Sequence, residues 1–300
     1  MKKQLIVKPI PISAIDHPAP PDDILPKHEW SMGFIAPKGS GKTTCLIRLL
    51  DFYKGYYNSV IVFSPTVKND EKWDWVKRQK LLSPNKRLDN IIRTIIHKKQ
   101  NKAEQEGIVD RTHQYEKDDE DLALEKYLTP DEFDGTISES FFIEDYNEDT
   151  LQQVMDQQKE LIHLLKEYGY TKHYANRVLI IFDDLVGSAL FSSKRRSPFK
   201  MLAANQRHLS FSVIMVSQAY KEIPKTVRTQ FSCLIIFEIP NESEIDVIYK
   251  ENPVGYNQKD WMEMYEYAVD GEYNFMFINY MKPKKLRIMK NFREYLFIKH

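Results

Sequence analysis

Residues 36–43 read Ala-Pro-Lys-Gly-Ser-Gly-Lys-Thr and stand between a short apolar run and an apolar stripe of helical spacing. Few local patterns restrict a fold so strongly. Ser31-Met-Gly-Phe-Ile-Ala36 has the unbroken apolarity of a strand buried on both faces. After Gly41, Leu46, Leu49, Leu50 and Tyr53 recur along one helix face that ends near Gly55. Val60-Ile-Val-Phe63, closed by Ser64-Pro65, is a second buried strand. Strand, helix and strand in this order form a βαβ unit, which requires a parallel sheet. The turn at its first corner matches the phosphate-binding P-loop except at the first position, where Ala36 replaces glycine. That position ends the strand and does not face phosphate, so the exchange removes little.

The chemistry of such a turn is carried by backbone as much as by side chains. Gly39 and Gly41 admit positive φ, so successive N–H groups turn inward toward an anion, and the following helix adds the partial positive charge of its N-terminus. Pro37, Lys38, Gly39, Ser40, Gly41, Lys42, Thr43 and Thr44 are therefore the candidate cradle for ATP. Lys42 has the reach for the β- and γ-phosphates and the Thr43 hydroxyl is a ligand for Mg²⁺. Val178-Leu-Ile-Ile-Phe182 runs directly into Asp183-Asp184, which places two acids at the carboxyl end of a buried strand, where ligands bind in open α/β sheets. Asp183 is the candidate Mg²⁺ acid and Asp184 the candidate general base. Ser212–Ser217 is another buried strand, and Gln218 at its tip is positioned to touch the γ-phosphate or the attacking water. A P-loop, then a strand ending in acids, then a strand with a polar tip is the order of the ASCE branch of P-loop ATPases. Arg207, before that strand, and Arg228, before Cys233–Phe237, are candidate arginine fingers supplied to a neighbouring subunit.

The remaining chain fits an α/β domain. Apolar Cys233–Phe237 is a further strand, Asn147, Ser197-Pro198, Asn241 and Asn257 have the character of helix starts, and Tyr273–Asn279 and Leu286–Met289 are later strands. The expected architecture is a doubly wound, mostly parallel sheet flanked by helices. Six of the fifteen prolines fall within the first 26 residues, which defines a Pro-rich arm over 1–29 ahead of an ATPase domain over 30–300. Residues 77–146 show little periodicity beyond a weak strand near Ser140–Ile143, and much of the stretch reads as a charged insertion or a helical excursion. Two cysteines, Cys45 and Cys233, suit a reducing compartment. The longest apolar runs are too short for a bilayer, and Lys8 and Pro9 interrupt the N-terminus too early for a signal peptide. The reading is an intracellular chain with no membrane contact. Eight histidines show no metal spacing.

The formal net charge is zero, which removes global basicity as an argument for nucleic acid. It is a cancellation. Residues 103–150 carry 3 Lys+Arg against 17 Asp+Glu, whereas 77–102 carry 9 against 1 and 282–299 carry 7 against 1. Lys194-Arg195-Arg196 adds a basic loop shortly after Asp184. Basic surface is available for phosphate contacts, and the acidic segment is expected to face away from it or to screen it.

Several of these stretches are shared by one family. Phe34-Ile-Ala-Pro-Lys-Gly-Ser-Gly-Lys-Thr-Thr44, Val60-Ile-Val-Phe-Ser-Pro-Thr66 and Leu179-Ile-Ile-Phe-Asp-Asp-Leu185 resemble the DNA-packaging ATPases of large eukaryotic DNA viruses and virophages, the viral branch of the FtsK–HerA superfamily. Arg207-His208 before Ser212–Gln218 and Ile223-Pro-Lys-Thr-Val-Arg228 add to the resemblance, which covers about Trp30 to Phe292. It implies a RecA-like domain that assembles as a homo-oligomeric ring of five or six copies. It also implies coupling of ATP hydrolysis to movement of double-stranded DNA into a capsid, with capsid or other packaging proteins as partners. The implied place is the host cytoplasm, a viral assembly site or the virion. Many members carry glutamate where this chain has Asp184, which is one methylene shorter. The competing reading is a P-loop nucleotide switch or kinase acting on a non-DNA substrate, with turnover indifferent to DNA. A structural protein with a vestigial P-loop is disfavoured by the intact Lys42, Thr43 and Asp183.

Overall fold

The apolar runs of the sequence become the middle of a single sheet. The structure, a computed structural model, describes residues 17–105, 117–185, 190 and 197–298. Within it, β1 (Ser31–Ile35), β2 (Ser59–Phe63), β4 (Val178–Asp183), β5 (Phe211–Ser217) and β6 (Cys233–Phe237) run parallel in the order β2-β4-β5-β1-β6. β4 and β5 therefore lie between β2 and β1, the inserted arrangement expected from the motif order. A short β3 (Phe142–Ile143) extends the β2 edge. On the other edge, β7 (Phe275–Asn279), β8 (Ile288–Lys290) and β9 (Glu294–Leu296) continue the sheet with antiparallel pairing.

Both faces are covered, which is why the central strands lack hydrophobic–polar alternation. One face of the sheet, including Phe34, Val62, Ile181 and Ile235, packs against Leu46, Leu49 and Leu50 of α1 (Lys42–Phe52) and Trp73 and Val76 of α2 (Glu71–Lys77). The opposite face packs against α5 (Glu148–Glu167), α6 (Pro198–Asn205), the short α7 (Lys225–Arg228), α8 (Glu242–Glu251) and α9 (Gln258–Val269). The helix starts carry the caps that the sequence suggests. Asn147 Oδ1 accepts from the amides of Asp149 and Thr150, and Ser197, Asn241 and Asn257 cap α6, α8 and α9 in the same way.

The described residues of the segment 77–146 include two α-helices, in line with a helical excursion. α3 (Lys86–Gln105) is a twenty-residue amphipathic helix that buries Leu88, Ile91, Ile92, Ile95 and Ile96. These form a separate small core with Leu124 of α4 (Asp119–Glu125) and with Leu161, Ile162 and Leu165 on the outer side of α5. Leu88, Ile91, Ile92, Ile95 and Ile96 follow the helical period, but polar and charged residues fill most other positions and dominate the composition of the segment. Lys99 on α3 pairs with Asp118, Glu120 and Asp121 at 2.8, 3.1 and 2.9 Å, so part of the acidic segment neutralises part of the basic one. The strand expected at Leu286–Met289 begins two residues later, after a 3-10 turn over Lys284–Leu286. Residues 17–29 of the Pro-rich arm lie against the domain, where Tyr56 and Tyr53 hydroxyls donate to the carbonyls of Pro18 and Pro26 at 3.0 and 2.8 Å. The basic triplet Lys194-Arg195-Arg196 lies outside the described residues.

Candidate nucleotide site

All parallel strands end on one side of the sheet, and the expected P-loop, acids and glutamine come from three of them. β1 ends at Ile35 and passes through Pro37–Ser40 into α1. Gly39 and Gly41 have φ of +85° and +88°, the conformation for which glycine was expected there. β4 delivers Asp183 and Asp184, and β5, next to it, delivers Gln218.

These side chains meet directly. Lys42 Nζ lies 3.0 Å from Asp184 Oδ2, and Gln218 Nε2 donates to Asp184 Oδ1 at 2.9 Å. Burial opposes the charge on Asp184, but the amide of Gln218 and the Lys42 ammonium outweigh it and hold the carboxyl below its ordinary range. Asp184 also has a φ of +52°, unusual for a residue with a Cβ. Asp183 is its opposite. It is buried, and burial pushes its carboxyl up to about 6 against the pull of Lys42 and of a hydrogen bond from Ser64. Ser64 Oγ, at the end of β2, donates to Asp183 Oδ2 at 3.0 Å. Sequence reading used Ser64-Pro65 only as the end of a strand and missed this contact, because adjacency of β2 and β4 is a tertiary fact.

The donor set fits a hard divalent cation. Asp183 Oδ1 is buried and has no hydrogen-bond partner among the described residues, an arrangement that is costly unless something cationic or water-borne completes it. Thr43 lines the same cavity as Lys42 and Asp184. No group of three or more His, Cys, Asp or Glu among the described residues forms a separate metal site. The cavity itself has a volume of about 920 Å³ and continues past the P-loop along α1 to Arg48 and Phe52. Its far wall comes from Tyr273 and the β8–β9 turn, residues that the sequence did not mark as functional.

The two arginines fare differently. Arg207 is exposed in the turn before β5, at the amino ends of the strands and so at the opposite end of the sheet from Lys42. Arg228 is held inside the chain: its guanidinium bonds to Glu251 at 2.8 and 2.9 Å and donates to the Ile223 carbonyl at 2.8 Å. Neither lines the cavity.

The sequence matches the family described as poxvirus A32 protein over residues 125–279, a little over half of the chain. The chain belongs to that family. The match runs from the end of α4 to the end of β7 and so includes Asp183, Asp184 and Gln218, while the P-loop lies before it. This is the viral packaging ATPase type that the sequence motifs suggest. No curated protein sequence matches the chain. Among solved structures, the genome-packaging NTPase B204 of Sulfolobus turreted icosahedral virus 2, in complex with AMPPCP, is 13% identical with a TM-score of 0.46, over 87% of this chain and 96% of that one. EssC ATPases 2 and 3 of Geobacillus thermodenitrificans are 13% identical at a TM-score of 0.46, covering 89% and 40% of the two chains. The pCW3 conjugation coupling protein TcpA is 11% identical at 0.45, covering 83% and 57%. The assignment to the family rests on the sequence match alone. No helix among the described residues is long and apolar enough to cross a membrane.

Proposed function

We propose that this packaging ATPase hydrolyses ATP to ADP and phosphate at the Lys42–Asp184–Gln218 junction and uses the cycle to move double-stranded DNA into a capsid. The observation that carries the reading is the convergence of three strand ends on one carboxylate, beside a P-loop with both glycines in the left-handed region. Backbone N–H groups of residues 38–43 and the α1 N-terminus receive the phosphates. Lys42 leaves Asp184 for the β- and γ-phosphates, since a triphosphate is the stronger partner for an ammonium. That exchange frees Asp184 Oδ2 to accept the proton of the attacking water, with Gln218 still orienting Oδ1. Mg²⁺, when bound, neutralises developing phosphate charge; Thr43 and Asp183 are the residues that would hold it, and Ser64 orients Asp183.

Assembly as a ring of five or six copies gives a place for an arginine supplied in trans. Arg207, being exposed, is available to a neighbouring copy, whereas Arg228 has first to leave Glu251. The discriminating experiment is ATP turnover with and without double-stranded DNA, beside Lys42→Ala. Stimulation by DNA that vanishes in Lys42→Ala supports the motor. Turnover indifferent to DNA in every assembly state points instead to a switch or kinase on another substrate. For the finger, Arg207→Ala subunits mixed with Lys42→Ala subunits should regain part of the lost turnover in trans.

A further inference from the structure

The P-loop accounts for phosphates, yet the cavity extends well beyond them to a wall made by Tyr273, Asn291, Phe292 and Arg293. Backbone strain is concentrated in this wall. Tyr273, Asn291 and Phe292 have φ of +62°, +54° and +56°, and bulky aromatic residues adopt such values only where the surroundings impose them. What imposes them at the turn is visible. Phe292 is buried, with its ring centroid 6.2 Å from Phe52, 5.0 Å from Phe275 and 4.8 Å from Phe277. Asn291 Oδ1 accepts from the Phe275 amide at 2.9 Å, and its Nδ2 donates to Asn274 Oδ1. The turn is thus pinned as a rigid floor.

Tyr273 is different. Its backbone carries the same strain, but its side chain is 65% exposed. The ring edge sits against the P-loop: a Cβ placed on Gly41 would lie 2.9 Å from Tyr273 Cδ1. Apart from that edge contact with Gly41, the aromatic face is open to the cavity. Across the cavity, α1 presents Arg48 with its guanidinium 5.2 Å from the Phe52 ring centroid.

We propose that this wall is the base subsite of the nucleotide site described above, with the Tyr273 ring as the stacking face, and that it selects purine over pyrimidine nucleoside triphosphates without separating adenine from guanine. Stacking energy follows overlap area, which favours two fused rings over one. The Asn291 amide is tied into the floor by one bond at its oxygen and one at its nitrogen, so the selection falls to the stacking face, which does not read the 6-position of the base. Arg293, a donor only, meets the N7 acceptor common to both purines. The proposal rests on the P-loop reading, and the test separates the two.

Binding of the β,γ-imido analogues of ATP, GTP and CTP, and of inorganic tripolyphosphate, is measured by calorimetry on the full chain, Tyr273→Ala, Tyr273→Phe and Lys42→Ala. Purine analogues are expected to bind the unaltered chain within about threefold of each other and roughly tenfold tighter than the CTP analogue. Tyr273→Ala should weaken both purine analogues roughly tenfold and leave tripolyphosphate unchanged, and Tyr273→Phe should restore them. Tyr273→Ala binding purines normally, weakening tripolyphosphate equally, or an unaltered chain that binds the ATP and CTP analogues alike, overturns the base subsite. If Lys42→Ala leaves tripolyphosphate binding intact, the P-loop reading itself falls.

Discussion

At the two ends of the sheet, the same kinds of residue are used in opposite ways. At the amino ends of the strands, left-handed residues with side chains are tied down. Glu29 and Ser210 have φ of +73° and +57°. The Glu29 amide donates to Ser212 Oγ at 3.1 Å, and buried His28 bonds through its two ring nitrogens to Ser212 Oγ and the Ser210 carbonyl, each at 2.8 Å. The Tyr56 hydroxyl closes the set against the His28 amide at 3.0 Å. At the carboxyl ends, strain and polarity are left open. Asp184 and Tyr273 are strained and partly exposed, and one oxygen of Asp183 has no protein partner among the described residues. One end gives up polar freedom for stability; the other keeps it for a ligand. Ser210 Oγ at the amino end is also buried without a partner among the described residues, but a neutral hydroxyl costs far less unmet than a carboxylate oxygen, and so the acid marks the functional end.

Substitutions at the two ends should therefore separate turnover from stability. Lys42→Ala is expected to lower ATP turnover on the order of 10²–10³-fold. Its unfolding free energy should stay within about 1 kcal/mol, because Asp184 keeps its bond from Gln218. His28→Ala should do the reverse, losing about 2–3 kcal/mol in denaturant unfolding with turnover per folded molecule unchanged. Equal losses of stability from both would erase the contrast.

Acid should act on the two ends with opposite sign. Burial holds His28 well below its ordinary value, so the unfolded chain binds the proton more readily, and this contribution to stability is lost as pH falls below roughly 6.5. Asp183 has its folded value raised to about 6, so the folded chain takes up the proton first and gains stability as pH falls from there toward the ordinary carboxyl range. Turnover needs Asp183 ionised, and because Mg²⁺ competes with the proton for this carboxylate the acid limb should move down as Mg²⁺ is raised. Ser64→Ala removes a bond to the charged form and should move the acid limb upward by about half a unit to one unit. An unmoved limb would mean that another group sets it. The smallest effect is at Tyr273. Tyr273→Gly relieves a left-handed conformation and should raise stability by about 0.5–1 kcal/mol in thermal or denaturant unfolding while weakening nucleotide binding. A loss of stability would show that the Tyr273 ring packs after all.

What could be read along the chain was whatever is encoded by local period or local bonding. Val178–Phe182 and Cys233–Phe237 are unmistakable because a strand covered on both faces needs every residue apolar. Asn147 and Ser197 announce helices because their own side chains bond to the amides two or three residues ahead. α3 escaped because its apolar stripe covers only its first half and its partners, α4 and α5, lie far along the chain. β9, only three residues long, has no pattern of its own and exists because β8 offers it an edge. The apparent segregation of charge was a property of the chain and only in part of the molecule, since Lys99 folds back onto the acids of α4.

The sequence by itself determined the phosphate cradle and the βαβ unit around it, because glycine, lysine and threonine at that spacing leave the backbone one way to turn between a strand and a helix. It also marked Asp183, Asp184 and Gln218, since each directly follows or closes an apolar strand. Only the tertiary structure decided that β4 and β5 stand between β2 and β1, and hence that Lys42 and Gln218 share the Asp184 carboxylate while Ser64 holds Asp183. Only it brought Tyr273 and the Asn291–Phe292 turn to the P-loop. Local patterns report what each residue needs from its near neighbours, whereas strand order and the closing of a cavity depend on packing between segments that the chain keeps far apart.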